Sequence, residues 1–433
     1  MRKTFALIIA LAMVLCVCGC KNTDTDNLSS DSVEVEYQEI IVDETGSTIT
    51  QTNDSSTQSD NNSSVVETPS QSTPSSNVTS KTPAITIDYN TVVEVDICDD
   101  IIRGYLDAKD ATNQYFWLST YSGQKLDHQS LSLDWYRDGS MSYTIYFSEN
   151  ADFSNAMTIT TNYSDIEGTT LIPGKTYYWK VTGTLTADAL GGGKIKVKDA
   201  PVRWIQIDGI HNVRDLGGWK AASGKAIKYG MIYRGPNIGD ISDAGIATIK
   251  QLGIKTELDI RRLDQKLQKQ GTGMNYIFLE SHAQYDRIFD SAYEEEVKRN
   301  YKEIFKILSD ESNYPFYVHC QHGADRTGTF AFITNGVLGV AYEDLTRDFE
   351  VSSFAPGYKR WRGEGKGNTF AKGDDIMQND QNNYVAWGVL YKRMMEEYGT
   401  GDGKLSSAIE NYLINYIGVP QSQIDSFKSI MLG

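Results

Sequence analysis

The stretch FYVHCQHGADRTG, from Phe316 to Gly328, decides the fold of the C-terminal half of this chain. Its opening Phe-Tyr-Val-His run is short and mainly apolar, which predicts a buried strand. Glycine and polar residues follow and predict a loop, and residues 327–338 then have the pattern of a helix. A buried strand that leads through a loop into a helix is typical of an α/β domain.

The loop between this strand and helix suits a bound anion. Its backbone N–H groups can turn inward, and the following helix offers the positive end of its dipole. Gly323 permits a backbone geometry that a Cβ would obstruct. The residues predicted to bind phosphate are Gln321, His322, Gly323, Ala324, Asp325 and Arg326.

Three side chains of this stretch carry the predicted chemistry. Cys320 lies at the floor of the loop, where the same donors stabilise the thiolate form that attacks phosphorus. Arg326 can hold two phosphoryl oxygens with its planar guanidinium. Thr327 is placed to hydrogen-bond near the sulfur and to help the leaving step.

The spacing of Cys320, Arg326 and Thr327, with His319 before them, resembles the signature of the protein tyrosine phosphatase superfamily. The string GIHNVRDLGGW, from Gly209 to Trp219, is similar to an Asn-x-Arg-Asp-Leu-Gly-Gly motif of bacterial members. Those members also tend to have Asp before the loop Arg. MIYRGPNI (231–238) and ELDIRRLDQ (257–265) look like the next two segments, so the resemblance covers most of residues 207–354.

The resemblance implies a cysteine-dependent phosphatase that forms and then hydrolyses a phosphocysteine, with no metal and no cofactor. Its catalytic residues would be Cys320, Arg326, Asp325 and Thr327. The general acid remains open, because the bacterial group points to Asp325 and other branches point to a loop upstream. That upstream segment, SHAQYDRIFD (281–290), offers Asp286 as the alternative, besides His282 and Asp290. Asp290 fits an acid at a helix N-terminus better.

Other polar residues have two interpretations. They either touch substrate or build a structural network that locks turns near the loop, and we expect His319 to orient its neighbours rather than carry a proton. A metal site is disfavoured, because His319, Cys320 and His322 lack a fourth ligand and Arg326 lies beside them. These possible substrate or supporting residues are His319, Asn212, Arg214, Asp215, Asp259 and Arg261.

The N-terminus has the pattern of an export signal. Arg2 and Lys3 precede an apolar run that ends in a Cys-Gly-Cys sequence, which resembles a bacterial lipobox. We therefore expect residues 1–20 to be a lipoprotein signal peptide, Cys20 to be lipidated, and the protein to be anchored outside the cytoplasmic membrane. Only Cys98 and Cys320 would then remain as thiols, so no disulfide framework exists.

Two further regions lie between the signal and the α/β domain. Residues 21–84 hold eleven acids and two lysines in a Ser- and Thr-rich sequence, which predicts a disordered tether. In residues 85–205, alternating segments such as 131–135 and 143–147 predict strands. The string LIPGKTYYWKV (171–181) resembles fibronectin type III domains. The expected fold class is multidomain: an all-β sandwich of that type, then a cysteine-phosphatase α/β domain at residues 206–433.

The sequence indicates the binding partners less specifically than it indicates the chemistry of the site. A net charge of -16 disfavours general nucleic-acid binding. The expected partner is a phosphorylated substrate, which could be a phosphoprotein, a phosphoinositide or an inositol phosphate. The basic stretch 358–373 could receive a multiply phosphorylated ligand or could be a solvated surface. The rival function is a surface binding protein, a glycan adhesin included, with a secondary or inactive phosphatase fold.

Overall fold

The computed structural model describes residues 85–126, 130–166, 170–266, 271–356, 360–361 and 382–433. These residues fall within one compact unit, Thr79–Gly433. The predicted signal peptide, the lipidation site at Cys20 and the tether lie outside the described residues. So does most of the basic stretch 358–373, of which Arg360 and Trp361 are described.

The elements alternate between strands and helices in the C-terminal half. The strands are β1 (Val92–Val95), β2 (Leu131–Ser132), β3 (Tyr143–Ser148), β4 (Met157–Thr161), β5 (Asp165–Ile166), β6 (Thr176–Gly183), β7 (Gly191–Val197), β8 (Arg214–Asp215), β9 (Ile232–Gly235), β10 (Thr256–Asp259), β11 (Asn275–Phe278) and β12 (Phe316–His319). The helices are α1 (Asp100–Asp107), α2 (Ala111–Tyr121), α3 (Asp243–Gln251), α4 (Glu294–Leu308), α5 (Arg326–Val337), α6 (Tyr342–Val351), α7 (Asn382–Tyr398), α8 (Leu405–Asn411) and α9 (Gln421–Leu432).

The N-terminal region contains a five-stranded sheet in the order β1-β7-β6-β3-β4. Its four later strands pair antiparallel, and β1 adds in parallel to β7. A separate antiparallel pair joins β2 to β5. Alternate side chains from both groups of strands form one hydrophobic core, in which Leu131, Ile145 and Val181 are buried. This arrangement follows the period-2 pattern of the sequence.

The prediction that residues 85–205 are all β is wrong for residues 100–121, which form α1 and α2. Asp99 begins α1 by accepting from the N–H groups of Ile101 and Ile102, and Asp110 caps α2 in the same way. The buried residues of α1, Ile102 and Tyr105, are three apart, which is a helical spacing and not a strand spacing.

The C-terminal half has the predicted α/β architecture. Its five-stranded sheet has the order β11-β10-β12-β9-β8, with β12 at the centre and the first four strands parallel. The strand predicted at Phe316–His319 and the helix predicted at residues 327–338 are confirmed. Every residue of α5 after Arg326 is buried, so this helix passes through the middle of the domain.

The two N-terminal helices pack into the α/β half of the molecule. Ile102, Tyr105 and Leu118 share one hydrophobic core with Phe316 and Val318 of β12. The Tyr105 hydroxyl also donates to the buried carboxylate of Glu350 in α6. The sequence had assigned these helices to the β-region, but their apolar faces lie against the α/β core.

None of the helices in the described ranges is long and apolar enough to cross a membrane.

Candidate active site

The carboxyl ends of the parallel strands bring the predicted site residues to one edge of the sheet. Strand β12 ends at His319 and leads directly to Cys320, which is 1% exposed. The neighbouring strand β10 ends at Asp259 in register with His319. Ligand sites of open α/β sheets lie at this edge, where loops from several strands meet.

Carbonyl groups of the loop after Cys320 bond to side chains outside the loop. Asn237 donates to the Gln321 carbonyl at 3.0 Å, and Asn212 donates to the His322 carbonyl at 3.1 Å. Arg234 Nη2 donates to the carbonyls of Gly323 and Ala324 at 2.8 and 3.3 Å. In a planar trans peptide the N–H points away from the C=O, so the next four N–H groups face the opposite side. Together they form an anion cradle that continues into the N-terminus of α5.

Gly323 is required by the close approach of the loop to β9. Its φ is +69°, in the left-handed region that glycine adopts without strain. A Cβ at this position would lie 2.2 Å from the carbonyl carbon and oxygen of Gly235. The loop therefore has no room for a larger residue here, as the sequence predicted.

A buried ionic network supports the loop from behind. Asp348 of α6 accepts from Arg214 Nε at 2.8 Å and from Arg234 Nη1. Arg214 also donates to the Asn212 side chain at 2.7 Å, and the other side of Asn212 contacts the loop. Arg214, Arg234 and Asn212 are fully buried. The network therefore fixes the loop carbonyls, which favours the structural interpretation of Asn212 and Arg214.

Asp215 belongs to a second buried cluster. It accepts from the backbone N–H groups of Gly217 and Gly230 at 2.9 and 2.6 Å and pairs with Arg203 at 2.9 Å. Arg203 in turn donates from Nε to the Leu171 carbonyl at 3.0 Å. Asp215 thus locks the turn after β8 and contacts the residue that joins the β-region to the α/β half.

Asp259 and Arg261 form a bidentate pair after β10, with contacts of 2.9 and 2.7 Å. Burial opposes ionisation of Asp259, but the hydrogen bonds and charge of Arg261, together with His319 and the Tyr276 hydroxyl, outweigh it, and the pKa of Asp259 is lowered. His319 lies next to this pair: its Nε2 is 3.0 Å from the carboxylate of Glu257, and its Nδ1 is 3.2 Å from the Cys320 carbonyl. These contacts orient the backbone at Cys320, and Glu257 was not identified from the sequence.

Arg326 connects the loop to the segments that follow β10 and β11. Its Nη1 donates to the Ser281 carbonyl at 3.2 Å, and its Nη2 donates to the Gln265 side chain at 2.8 Å. Gln265 follows β10, and no pattern in the sequence singled it out. Both partners hold the guanidinium beside the loop.

Asp325 is held by two residues from distant parts of the chain. Arg360 donates to its two carboxylate oxygens at 2.6 and 3.0 Å, and the Tyr285 hydroxyl donates to Oδ1. Burial favours the neutral form of Asp325, but the hydrogen bond and charge of Arg360, together with the Tyr285 hydroxyl and His322, outweigh it, so its pKa is lowered. Asp325 is therefore a carboxylate in this arrangement.

The alternative acid, Asp286, lies in a short helical turn of residues 285–289 beside Tyr285. Burial raises the pKa of Asp286, which favours its protonated form. The other residues of this segment have different partners: His282 contacts Glu296 at 2.7 Å, and Asp290 pairs with Arg393 of α7 at 3.0 Å. The general acid is left open between Asp325, which lies in the loop, and Asp286.

Thr327 and His322 are the remaining predicted residues of the site. Thr327 is buried in the first turn of α5, and its hydroxyl has no hydrogen-bond partner among the described residues. The expected bond near the sulfur is thus not formed here. Burial lowers the pKa of His322 on the loop. Cys98 and Cys320 are both free and buried. The described residues hold no group of three or more His, Cys, Asp or Glu suited to a metal ion.

A buried cysteine that leads into a loop suited to an anion, at the carboxyl edge of a mainly parallel sheet, is the arrangement of cysteine-dependent phosphatase folds. Residues 205–433 match the model of the tyrosine phosphatase family, and this chain belongs to that family. The resemblance inferred from the Cys320 and Asn212 motifs is confirmed at this level, and with it the α/β fold of the C-terminal half.

Two relatives carry the same family name. A Cupriavidus necator protein named as a tyrosine-protein phosphatase is 26% identical over 172 residues, which is 34% of this chain and 63% of that protein. The chain thus spans less than two thirds of that relative. A tyrosine-protein phosphatase of Nostoc commune is 22% identical over 237 residues, or 48% of this chain and 76% of that one.

Among solved structures, the core catalytic domain of the PP-IP phosphatase SIW14 from S. cerevisiae, in complex with citrate, is similar to part of the chain. The match has 13% identity and a TM-score of 0.24 and covers 31% of this chain and 79% of that one. A score this low carries no argument about substrate.

Proposed function

We propose that this protein is a phosphatase that hydrolyses phosphomonoesters through a phosphocysteine intermediate. Its preferred substrates in this proposal are phosphotyrosine esters, or both phosphotyrosine and phosphoserine or phosphothreonine esters, as in dual-specificity phosphatases. The observation that carries the proposal is the orientation of the loop over Cys320. Four consecutive carbonyls bond outward to Asn237, Asn212 and Arg234, which leaves the following N–H groups for an anion. The family membership of residues 205–433 supports the same chemistry.

The proposed reaction has two displacements at phosphorus. The Cys320 thiolate forms a bond to phosphorus in line with the ester oxygen, which leaves with the electron pair of the broken P–O bond. The loop N–H groups and Arg326 stabilise charge on the equatorial oxygens. Water then attacks phosphorus, phosphate is released, and the sulfur regains its electron pair. The buried Thr327 hydroxyl, which has no partner among the described residues, is suited to stabilise that leaving thiolate.

The leaving oxygen needs a proton from a general acid. Asp325 is our first assignment because it lies in the loop, and it must take up a proton before it acts, since its pKa is lowered. Asp286 is the alternative because burial raises its pKa. Asp325→Asn and Asp286→Asn separate the two. The variant of the acid should lose more kcat with an ester of a poor leaving group than with an aryl phosphate of a good leaving group. Equal losses on both esters would contradict the assignment for that residue.

The direct test compares the wild-type protein with Cys320→Ser on a chromogenic aryl phosphate under reducing conditions. We expect loss of all turnover above background in the variant, because a serine hydroxyl is a much weaker nucleophile than a thiolate. Cys98→Ser is the matched control, since Cys98 is the other buried free thiol of the described residues, and it should keep full activity. Equal activity of Cys320→Ser and wild type would contradict the cysteine mechanism. An inert wild type would favour the rival surface binding protein with an inactive phosphatase fold.

The substrate class follows from a panel of esters. Phosphotyrosine peptide, phosphoserine peptide, phosphoinositides and phytate cover the proposed class and its alternatives, inositol polyphosphates and phosphoinositides. The ranking of kcat/KM decides between them. EDTA should leave every rate unchanged, because the proposed mechanism needs no metal, and a loss of activity with EDTA would contradict it.

We further propose that the protein is lipidated at Cys20 and acts outside the cytoplasmic membrane. The support is the sequence pattern of residues 1–20. Metabolic labelling with a fatty acid should mark the wild type and not Cys20→Ala, and label on both would refute the anchor.

We also propose that the β-region is of the fibronectin type III kind. The Tyr177 hydroxyl accepts from the Ile172 N–H at 3.1 Å, as in the tyrosine corner of β-sandwich domains, and this supports the assignment. Residues 85–205 are then a spacer or a binding module. Glycan binding retained by the described β-region in the Cys320→Ser protein would support the adhesin alternative.

A further inference from the structure

Arg360 forms a shielded, two-point contact with the proposed phosphate loop, which is residues 321–326. Its Nε and Nη2 donate to the two carboxylate oxygens of Asp325 at 2.6 and 3.0 Å. The two side chains are 14% and 15% exposed. Because a guanidinium is planar and its donors are fixed in a fork, such a pair sets the orientation of the carboxylate as well as its charge.

The position of Arg360 is itself set by α2 and the residues around it. The Arg360 N–H donates to the Ser353 hydroxyl at 2.8 Å, and the Ser353 carbonyl accepts from the N–H of Gly123, just after α2, at 2.7 Å. The next residue, Trp361, is buried, and its ring meets the ring of Tyr115 edge-on at 5.4 Å. Helix α2 therefore contacts Trp361 directly, and Gly123, which follows the helix, contacts Ser353.

We propose that Arg360 is a positioning residue of the active site, and that α2 holds Arg360 in place. A helix far from the cysteine in sequence then completes the phosphate loop. The inference deepens the proposed function and rests on it only in giving Asp325 a place in the reaction.

The groups that face Asp325 explain how Arg360 controls the charge of its carboxyl group. Arg360 and the Tyr285 hydroxyl contact its carboxylate, His322 and Arg326 lie on the same loop, and Cys320 interacts with Tyr285. Burial opposes the charge on Asp325, and Arg360 is the largest influence that restores it. Removal of Arg360 leaves a buried carboxyl with one hydroxyl donor, so its pKa should rise.

The test is the titration of Asp325 in the full-length protein, followed by NMR of carboxyl-labelled aspartate and assigned with Asp325→Asn. Arg360→Gln should raise the pKa of Asp325 by about one unit or more, which is a tenfold change in its protonated fraction. Arg360→Lys keeps the charge but not the fork, so it should give a smaller rise, and it also serves if the Gln variant does not fold. An unchanged Asp325 pKa in either folded variant would overturn the role of Arg360.

The role of α2 has its own matched pair of variants. Tyr115→Ala removes the ring that meets Trp361 and should raise the pKa of Asp325 in the same direction. Phe116→Ala changes the next residue of α2, which is 55% exposed and packs on Trp117, and should keep the wild-type pKa. Equal Asp325 pKa values in the two variants would overturn the coupling. Failure of the proposed function would show separately, as equal turnover by Cys320→Ser and wild type.

Discussion

Asp348 illustrates how residues remote from Cys320 in sequence determine the shape of the phosphate loop. It is buried in α6 and pairs with Arg214 and Arg234, and Arg234 also holds two loop carbonyls. Burial disfavours its charge, but Arg214 and then Arg234 outweigh burial and lower the pKa of Asp348. A buried charge with good partners is costly to disrupt, because the remaining partners stay desolvated.

Asp348→Asn should therefore lower the free energy of unfolding by about 3–5 kcal/mol, measured by urea denaturation. Asp344→Asn, on the same helix, removes a partly exposed pair with Arg347 and should cost about 1 kcal/mol or less. The pH dependence has a definite sign. Since the folded pKa is lowered, the stabilisation by Asp348 is present above the ordinary value of 3.8 and is lost as pH falls through the folded value. Equal costs for the two variants would contradict this role.

Gly323→Ala should lower kcat/KM by about a hundredfold, because the new Cβ would collide with the Gly235 carbonyl and shift the loop donors. Gly271→Ala is the control, since a Cβ there meets no atom within 4 Å, and it should leave the rate unchanged. Steady-state kinetics with an aryl phosphate measure both. A fully active Gly323→Ala protein would show that the loop tolerates the side chain.

At the scale of elements, strand β12, the loop and helix α5 were predictable because one continuous stretch carries their period, their glycine and their charged residues. The helices α1 and α2 were not predicted. These helices contact α6 and the segment that follows it, and both of those partners lie more than 200 residues away along the chain. The sequence shows Arg360 as part of a basic stretch, but its pairing with Asp325 depends on tertiary structure. Glu257 and Gln265 are the two ends of the segment 257–265 that resembles the family, but nothing in that segment indicates their contacts with His319 and Arg326.

The hydrogen bond across the turn before β6 allows a test of whether the β-region contains a tyrosine corner. Tyr177→Phe removes the hydroxyl that accepts from the Ile172 N–H and leaves that N–H without its partner. We expect a loss of about 1–3 kcal/mol in the free energy of unfolding. Tyr178→Phe, whose ring lies under Lys194, is the control and should change stability by about 0.5 kcal/mol or less. Equal effects would count against the tyrosine corner.

At the scale of the whole molecule, the β-region and the α/β half fall within one compact unit, Thr79–Gly433. Helices α1 and α2 supply buried side chains to the core that also contains β12. The sequence-based boundary at residue 205 separates the family match from the β-strands, but it does not separate these two helices from the core that they share. Composition and hydrophobic periodicity predict where helices and strands lie along the chain. Which element each apolar face packs against is determined only by the tertiary structure.

Truncation tests this organisation. A chain of residues 79–433 should unfold at the temperature of the full-length protein and keep its activity. A chain of residues 130–433 loses α1 and α2, and also β1, which pairs with β7. It exposes the surface that Ile102, Tyr105 and Leu118 cover, so it should be aggregation-prone or several degrees less stable. Thermal unfolding followed by circular dichroism measures both. Equal melting temperatures would contradict the shared core.

The most direct measurement of the central claim is mass spectrometry of the protein quenched with acid during turnover of an aryl phosphate. The account predicts one added phosphoryl group on the peptide that contains Cys320, absent from the Cys320→Ser protein and gone when substrate is exhausted. An active wild-type protein with the phosphoryl group on another residue, or an equally active Cys320→Ser protein, would contradict the account.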